Sequence, residues 1–382
     1  MTKLMNGPIK YFTLGIYDGP HATPRESEEG PIFLGIKNVS TDGRLDYSEI
    51  RHVSEQDFPK WTKRVTPQAD DIVFSYEATL HRYAIIPEGF RGCLGRRMAL
   101  VRPDKKKVHP RFLHYYFMAP QWRAVVEANI ISGATVDRIP IKRFPNFEVK
   151  LPQRNIQEKI ASILSAYDDL IENNRRRIQL LEQAARLLYK EWFVHLRFPG
   201  HEHVKINKGV PEGWELLALG DVLTLQRGFD LPVNKRKDGP YPIYASTGIN
   251  GYHAEAKVKG PGVVTGRSGS LGTVMYVPDD FWPLNTSLWI KEFKKVGPLF
   301  AVHLLSGLHL EQYNGGAAVP TLNRNDVHRI EVLCPSKTVL ELFDEHVAPV
   351  YRQIEILEEQ SKKLQAARDL LLPRLMNGEI AV

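Results

Sequence analysis

The chain has 382 residues, of which 43% are hydrophobic, a length and composition sufficient for two or three domains with apolar cores. Its formal net charge of +7 favours an anionic partner, although many proteins of similar charge never bind nucleic acid. The two cysteines, Cys93 and Cys334, exclude a disulfide framework and a four-cysteine zinc site, and they suit a reducing cytoplasm.

The N-terminal segment MTKLMNGPIKYF contains no apolar run of signal-peptide length, and no stretch of 18 apolar residues occurs in the chain. We therefore expect a soluble, cytoplasmic protein without a membrane partner. Short apolar runs bounded by turn residues predict strands at 31–36, 71–74 and 99–103. The aromatic-rich stretch near 110–128 predicts helix, so the first globular part is mixed α/β.

A long helix is predicted over residues 153–195. Asn155 and Glu158 have the spacing of a capping box, in which Asn155 accepts hydrogen bonds from first-turn amides and Glu158 folds back. Downstream, apolar residues recur in alternating steps of three and four, which is the pattern of a coiled-coil seam. The predicted seam contains Leu164, Tyr167, Ile171, Asn174, Ile178, Leu181, Ala185, Leu188 and Trp192.

Asn174 occupies a seam position, and two interpretations of it stay open. A polar residue in a seam can fix the register of two helices at some cost in stability. Alternatively, Asn174 can simply lie near the helix surface.

A second α/β part follows a connector and is predicted over residues 196–335, with strands at 263–265 and 273–277. Residues 336–378 then predict a second long helix with a capping box at Thr338 and Glu341. We expect Pro349 to kink or delay this helix and Pro373 to end it. Its seam contains Val347, Val350, Ile354, Leu357, Ser361, Leu364, Arg368, Leu371 and Leu375. Two amphipathic helices in one chain most simply bury their seams against each other.

The two halves of the chain repeat each other. An offset of 183 places Gly133–Val136 over Gly316–Val319, Glu148–Val149 over Glu331–Val332, and Leu187–Leu188 over Leu370–Leu371. An offset of 191 places Val73, Leu80, Pro87 and Phe90 over Val264, Leu271, Pro278 and Phe281. The sequence therefore predicts one duplicated unit, a globular part followed by a long helix, with pseudo-twofold character.

The sequence offers no catalytic centre, cofactor site or metal site. The glycine-rich segment Gly266–Gly272 lacks the Gly-Lys-Ser/Thr ending of a phosphate loop, and a β-turn beside a binding face is the better interpretation. Neither a methyl-donor loop nor an Asn/Asp-Pro-Pro-aromatic motif is present. Asp137, Glu148 and Lys150 loosely resemble a nuclease cluster, but the repeat does not preserve them, which favours a scaffold strand.

Residue types suited to DNA contacts occur in both globular parts. Phosphates are contacted by Lys, Arg and small polar groups, and base edges by Arg, Lys, Asn and Gln. Tyr76 and Arg267 occupy equivalent positions of the repeat, in loops between paired strands. The predicted DNA-binding set is Arg25, Lys37, Asn38, Tyr76, Arg82, Arg96 and Arg97 in the first part and Arg227, Lys235, Arg236, Tyr244, Asn250, Tyr252, Arg267 and Ser268 in the second.

The order of several local motifs resembles the specificity subunit of type I restriction-modification enzymes over nearly the whole chain. No single motif is decisive, but their order within a head-helix-head-helix plan is specific. The residues that carry the resemblance are Asp18–Pro24, Phe33–Asn38, Gly213–Glu215, Leu219–Val222, Tyr241–Tyr244 and Gly248–Tyr252, together with the helix ends Leu188–Phe193 and Leu370–Gly378.

The resemblance implies two target-recognition domains, residues 1–152 and 196–335, separated by spacer helices at 153–195 and 336–378 that form an antiparallel coiled coil. Each domain would read one half of a bipartite double-stranded DNA target. The subunit would have no active site and bind no cofactor. DNA-adenine methyltransferase subunits, expected in two copies, would supply methyl transfer, and restriction subunits would supply translocation and cleavage.

A helix of about 37 residues spans roughly 55 Å, more than one DNA turn of about 34–36 Å, so the helix pair would set the unread spacer like a ruler. Two other functions stay open. The chain could be a coiled-coil adaptor whose globular parts bind proteins, or a self-contained DNA-modifying enzyme.

Overall fold

The computed structural model describes residues 4–133, 136–314 and 320–382. Parts of the predicted match between Gly133–Val136 and Gly316–Val319 lie outside these ranges. The helices are Phe58–Trp61 (α1), Pro110–Met118 (α2), Pro120–Glu127 (α3), Arg154–Tyr189 (α4), Leu219–Val222 (α5), Pro298–Gly307 (α6), Arg324–His328 (α7) and Lys337–Met376 (α8).

The strands of the first half are Leu4–Pro8 (β1), Thr13–Asp18 (β2), Ser27–Leu34 (β3), Arg51–His52 (β4), Ile72–Ser75 (β5), Tyr83–Ile85 (β6), Gly92–Leu94 (β7), Met98–Pro103 (β8) and Glu148–Pro152 (β9). Those of the second half are Ile206–Asn207 (β10), Val210–Pro211 (β11), Glu215–Ala218 (β12), Leu223–Arg227 (β13), Tyr241–Ala245 (β14), Gly248–His253 (β15), Gly262–Gly266 (β16), Val274–Val277 (β17), Trp282–Pro283 (β18), Ser287–Phe293 (β19) and Glu331–Cys334 (β20).

The chain forms two compact units with the same sheet topology. Unit 1 comprises residues 1–173 and 361–382, and unit 2 comprises residues 174–360. Unit 1 contains sheets of order β2-β8-β5-β6, β4-β3-β7 and β1-β9, and unit 2 contains β13-β19-β16-β17, β15-β14-β18 and β12-β20. In each three-stranded sheet the central strand pairs antiparallel with one neighbour and parallel with the other. This matched topology confirms the predicted mixed α/β fold and its internal repeat.

The predicted offsets fall on structurally equivalent residues. Val73 and Val264 are both fully buried, in β5 and β16 respectively, and β9 and β20 begin 183 positions apart. The helix predicted near 110–128 is two helices, because Ala119 adopts an extended conformation before Pro120. The domain boundaries at 152, 195 and 335 stay predictions.

Aromatic side chains form much of each core. In unit 1, α2 and α3 contribute Phe117 and Trp122, whose ring centroids lie 4.7 Å apart, and Phe74 of β5 stacks on Phe144 at 4.9 Å. In unit 2, α4 continues into a π-helical turn, Lys190–Val194, which turns both Trp192 and Phe193 inward. Burying a side chain of this size contributes roughly 1.5–3 kcal/mol, so these clusters fix the helices to the heads.

The two long helices pack antiparallel within each unit. In unit 1, Ile160 and Leu164 near the start of α4 share a core with Leu372 and Leu375 near the end of α8. In unit 2, Ala185 near the end of α4 shares a core with residues near the start of α8, including Phe343 and Val347. The predicted seam residues of both helices are buried or half-buried.

Asn174 is 6% exposed, which supports its interpretation as a seam residue rather than a surface residue. No helix within the described ranges is long and apolar enough to cross a membrane.

The predicted capping boxes are wrong by two residues. The Gln153 carbonyl accepts the first hydrogen bond of α4, from the Gln157 amide at 3.1 Å, and the Ser336 carbonyl accepts that of α8, from the Leu340 amide at 3.1 Å. The predicted box acids instead form ion pairs one turn back, Glu158 with Arg154 and Glu341 with Lys337. The equivalent residues Glu158 and Glu341 therefore form ion pairs within their helices and do not cap them.

The helix α8 begins before Pro349 and continues past Pro373, so Pro349 does not delay its start and Pro373 does not end it, contrary to those predictions. The helix runs through Pro349 because apolar residues on both sides, including Val347 and Ile354, are buried and compensate for the missing backbone donor. The helix continues for three residues beyond Pro373, and the Asn377 amide donates to the Pro373 carbonyl at 2.9 Å. The helix stops at Met376, before Gly378 in the left-handed conformation.

A charged network crosses the seam in unit 1. Arg368 is 3% exposed, and its Nη1 lies 2.5 Å from Asp168 Oδ1, while the Tyr115 hydroxyl donates to Asp168 Oδ2 at 2.5 Å. Asp369 also accepts from Arg368, at 2.8 Å. The buried guanidinium is thus satisfied by carboxylates of both long helices.

The unit 2 equivalents of Asp168, Arg368 and Tyr115 are uncharged. The offset of 183 relates Asp168 to Tyr351 and Arg368 to Ala185, and Tyr115 and His303 are each the sixth residue of a helix beginning with proline. The Tyr351 hydroxyl and His303 Nε2 are 3.2 Å apart. Burial, and then the charge of Arg186, lowers the pKa of His303 to about 4, so the imidazole is neutral.

We predict that Arg368→Ala lowers the free energy of unfolding by roughly 3 kcal/mol, because it removes one partner of a buried ion pair. Lys337→Ala is the matched control, since it breaks a solvent-exposed pair on the same helix and is expected to cost less than about 0.5 kcal/mol. Urea unfolding followed by circular dichroism measures both. Equal losses for the two variants would contradict the prediction.

Candidate nucleic-acid interface

The same edge of the four-stranded sheet carries candidate residues in both units. In unit 1, Asp18 at the end of β2 pairs with Ala99, and Ser75 at the end of β5 pairs with Met98. In unit 2, Arg227 at the end of β13 pairs with Leu288, and Gly266 at the end of β16 pairs with Ser287. Three neighbouring strand ends therefore meet at one edge of each sheet.

Tyr76 and Arg267 are the residues that follow β5 and β16, and their backbones make the same bonds. The Tyr76 amide donates to Arg97 O at 3.1 Å, and the Arg267 amide donates to Thr286 O at 2.9 Å. Their carbonyls accept from the amides of Ile139 and Leu322, at 2.7 and 2.8 Å. These bonds confirm that the two positions are equivalent. We define the strand-end edge as Asp18, Tyr76, Arg96 and Arg97 in unit 1 and Arg227, Arg267, Asn285 and Thr286 in unit 2.

The strand-end edge of unit 2 contains two guanidinium groups. Arg267 Nη1 donates to Asn285 O at 3.3 Å, and the Asn285 side-chain amide donates to Asp230. Arg227 Nη2 lies 3.9 Å from the same Asp230 carboxylate. Burial and the charge of Arg227 lower the pKa of Arg267 below its ordinary value. Ser268 follows directly and donates its backbone amide to Thr286.

The strand-end edge of unit 1 has different chemistry. Tyr76 is 5% exposed, and its hydroxyl has no hydrogen-bond partner in the described part of the chain. Burial, and then the charges of Asp18 and Glu77, raises the pKa of Tyr76 to about 12. Arg64 donates to Asp18 at 2.6 Å. Arg97 pairs with Glu77 at 3.3 Å and has a φ of +69°, which is uncommon for a residue with a side chain.

A groove in unit 1 brings several predicted residues together. It has a volume of about 500 Å³, and its lining includes Lys37, Arg51, Arg96 and Arg97. Lys37 is exposed and pairs with Glu49 at 2.9 Å. Arg25 is also exposed and precedes Glu26, another lining residue. The groove shares Arg96 and Arg97 with the strand-end edge, and its four basic side chains outnumber its two carboxylates, Glu26 and Glu49.

In unit 2 the β14–β15 hairpin lies beside the strand-end edge. The Ser246 carbonyl in its turn lies 3.1 Å from the place where a Cβ on Gly266 would stand. Arg236 donates to the Asn250 carbonyl and side chain at 2.6 and 3.0 Å. Lys235 and Tyr252 are exposed. The predicted residues of unit 2 thus form two adjacent groups, one at the strand ends and one on the hairpin.

Three predicted DNA-binding residues make contacts within the protein. Asn38 is buried, accepts from Gly35 N at 2.9 Å, and donates to the carbonyls of Asp46 and Glu49. Arg82 donates to Val39 O at 2.9 Å and is half-buried. Tyr244 is buried against Phe281, with ring centroids 5.8 Å apart. The buried side chains of Asn38 and Tyr244 are therefore not available to a base edge, whereas Arg82 uses one guanidinium N–H for the loop and its contact with DNA stays a prediction.

Comparison of the two halves of the sequence did not identify Asp18, Arg51, Arg64 or Asp230 as candidate DNA-binding residues. Asp18 and Arg227 are equivalent in the structure but 209 positions apart, whereas Tyr76 and Arg267 are 191 apart. Insertions of different length separate these positions, and a gap-free comparison does not align all of them. An alignment anchored separately at each strand would identify Asp18.

Glu148 and Lys150, two residues of the segment that loosely resembles a nuclease cluster, lie on a strand of the scaffold, as the sequence predicted. Glu148 and Lys150 are exposed on β9, alternating with buried Val149 and Leu151, and β9 pairs with β1. Within the three described ranges, no group of three or more His, Cys, Asp or Glu residues is arranged to hold a metal ion.

Comparison with known proteins gives a consistent result. The family model described as type I restriction modification DNA specificity domain matches residues 26–183 and 211–366. The chain is 26% identical to the type I restriction enzyme MjaIX specificity subunit of Methanocaldococcus jannaschii, over 96% of this chain and 87% of that protein. It is 21% identical to the type I restriction enzyme HindI specificity subunit of Haemophilus influenzae, over 91% of this chain and 94% of that protein.

A solved structure shares the fold. The crystal structure of the type I restriction-modification system S subunit from M. genitalium superposes with a TM-score of 0.57 at 17% sequence identity, covering 98% of this chain and 96% of that one.

Substitutions of the exposed Lys37 and the buried Asn38 test whether each side chain stabilises the fold. We predict that Asn38→Ala lowers the free energy of unfolding by roughly 2 kcal/mol, because it leaves backbone groups without partners. Lys37→Ala is expected to cost less than about 0.5 kcal/mol, since its ion pair is exposed. Urea unfolding of the two variants checks this, and a loss of stability in Lys37→Ala as large as that in Asn38→Ala would contradict it.

Proposed function

The chain belongs to the type I restriction modification DNA specificity family, and from this membership we propose that it is the DNA-reading subunit of a type I restriction-modification complex. Each unit reads one half of a bipartite DNA target, and the bases between the halves are not read. The chain itself has no active site and binds no cofactor. Its net charge of +7 favours association with the DNA phosphates.

One observation carries this proposal most directly: the same scaffold occurs twice with different side chains at the same edge. Tyr76 and Arg267 share their backbone bonds but differ in charge, as do Asp18 and Arg227. Two readers of one identical sequence would need the same side chains at equivalent positions. The target of this chain therefore consists of two different half-sites.

In this proposal the catalytic activities of the complex belong to its other subunits. Methyltransferase subunits bind the chain and supply methyl transfer to adenine, and restriction subunits supply translocation and cleavage. The internal repeat supports two methyltransferase copies, because a duplicated chain presents each docking surface twice. The long helices α4 and α8 determine the length of the unread spacer.

The function is tested by selecting bound sequences from random duplexes with the chain assembled on its methyltransferase subunit. We predict one motif of two unlike parts separated by a gap of constant length. Binding of labelled S-adenosylmethionine to the chain without its partner is the companion measurement, and none is expected. A methyl-donor site on the lone chain would favour a self-contained enzyme, and no gapped motif from the complex would favour a protein-binding adaptor.

The spacer role of the helices is tested by lengthening both by one heptad. Duplicating residues 174–180 in α4 and 361–367 in α8 keeps the seam pattern and adds about 10.5 Å to each helix. We predict that the unread gap grows by about three base pairs, at about 3.4 Å per base pair, while both half-sites stay the same.

Duplication in α4 alone is the control, because it displaces one seam against the other and should destabilise the protein. A folded double-duplication variant that selects the original gap would show that the helices do not set the spacer.

A further inference from the structure

Resting on the proposed function, we propose that Arg267 reads a guanine in the half-site bound by unit 2, and that unit 1 has no guanine-reading group at the equivalent Tyr76 position. This assigns a base identity to one position of the target. It also assigns the difference between the half-sites to the strand-end edge.

Arg267 is held in place before any DNA binds. Its backbone is tied on both sides, by the amide bond to Thr286 O at 2.9 Å and the carbonyl bond from Leu322 N at 2.8 Å. Its Nη1 donates to Asn285 O at 3.3 Å. An arginine side chain has five N–H donors, so this one bond leaves most of the fork available. A fork that is already oriented loses less conformational entropy when it binds a base.

The surroundings of Arg267 favour a ligand with hydrogen-bond acceptors. Arg227 is close enough to lower the pKa of Arg267, and Asp230 is the carboxylate that pairs with Arg227, at 3.9 Å. Asp230 also accepts from the Asn285 side chain. These three charged groups therefore leave a surplus of one positive charge at the edge. Guanine presents two acceptors, O6 and N7, to the major groove, and a bidentate arginine matches them.

The position of Arg267 favours a base over a phosphate. Ser268 follows Arg267 in the chain and the Asn285 carbonyl accepts from its Nη1, and both are residue types that contact base edges. Phosphate contacts are made more readily by exposed basic side chains, such as that of Lys235, which precedes the β14–β15 hairpin in the chain. A partly buried, anchored guanidinium at a sheet edge has the restricted orientation that base discrimination requires.

Unit 1 has a different set of groups at the same place. Tyr76 replaces Arg267, and its phenol is buried. Asp18 replaces Arg227 and already binds Arg64 at 2.6 Å and His21 at 3.2 Å. Arg97 is engaged by Glu77. The guanidinium pair of unit 2 therefore has no counterpart at these positions.

The test measures base preference at every position of the selected motif, using the complex of the chain with its methyltransferase subunit. We expect the wild-type complex to prefer guanine at one position of one half-site by roughly ten- to hundred-fold, as a bidentate arginine contact does. Arg267→Ala should reduce that preference to less than about two-fold and leave the other half-site unchanged. Arg267→Lys should also lose most of the preference, since it keeps the charge but lacks the fork.

Lys235→Ala is the matched control, and it should weaken binding to all sequences evenly without changing any preference. Retained discrimination at the unit 1 half-site serves as the internal measure of folding in each variant. An even loss of affinity in Arg267→Ala would show a phosphate contact and overturn the inference. So would unchanged preferences, or a lost preference at a position other than guanine. A wild-type complex that selects no gapped motif would instead overturn the proposed function itself.

Discussion

The structure depends on the burial of two long apolar stripes, those of α4 and α8. A helix of 36 or 40 residues gains most of its stability from tertiary packing of its apolar face. In unit 1 the beginning of α4 packs with the end of α8, and in unit 2 the order is reversed. In each unit the two helices share one core with the sheets, so the helices and the head of that unit stabilise each other.

Polar residues restrict how that seam can be formed. Arg368 is buried, and it is satisfied where Asp168 and Asp369 provide carboxylates. At the equivalent position of unit 2 stands Ala185, near the neutral pair of Tyr351 and His303. The carboxylates that satisfy Arg368 have no counterpart there, because the equivalents of Asp168 and Asp369 are Tyr351 and Arg186. The repeat therefore preserves the shape of the contact between head and helices while making its two copies chemically distinct.

The same division between conserved shape and variable chemistry appears at the strand-end edges. Equivalent strand residues in the two cores are similar, as Val73 and Val264 are, because a core requires side chains of the right volume and polarity. At the edge, the side chain of Tyr76 or Arg267 projects from an identical hydrogen-bonded backbone. The backbone bonds at this position are the same whichever side chain stands there, so one scaffold carries a buried tyrosine in unit 1 and a half-buried arginine in unit 2.

The sequence by itself determined the features that arise from local periodicity and from self-similarity. It indicated the two long helices and their seams, the strands at β5, β8, β16 and β17, the repeat, and the equivalence of Tyr76 with Arg267, because each is encoded in residues close in sequence or at one constant offset. It did not locate the helix starts, where the Gln153 and Ser336 carbonyls accept the first bonds.

Only the tertiary structure decided which polar side chains are free to bind and which are already bonded. Asn38 and Lys37 are neighbours in sequence, yet one is buried among three backbone groups and the other is exposed. Arg64 contacts Asp18 across 46 residues, and Arg368 contacts Asp168 across 200. The partners of a polar group are fixed by chain segments distant in sequence, and no local pattern records them.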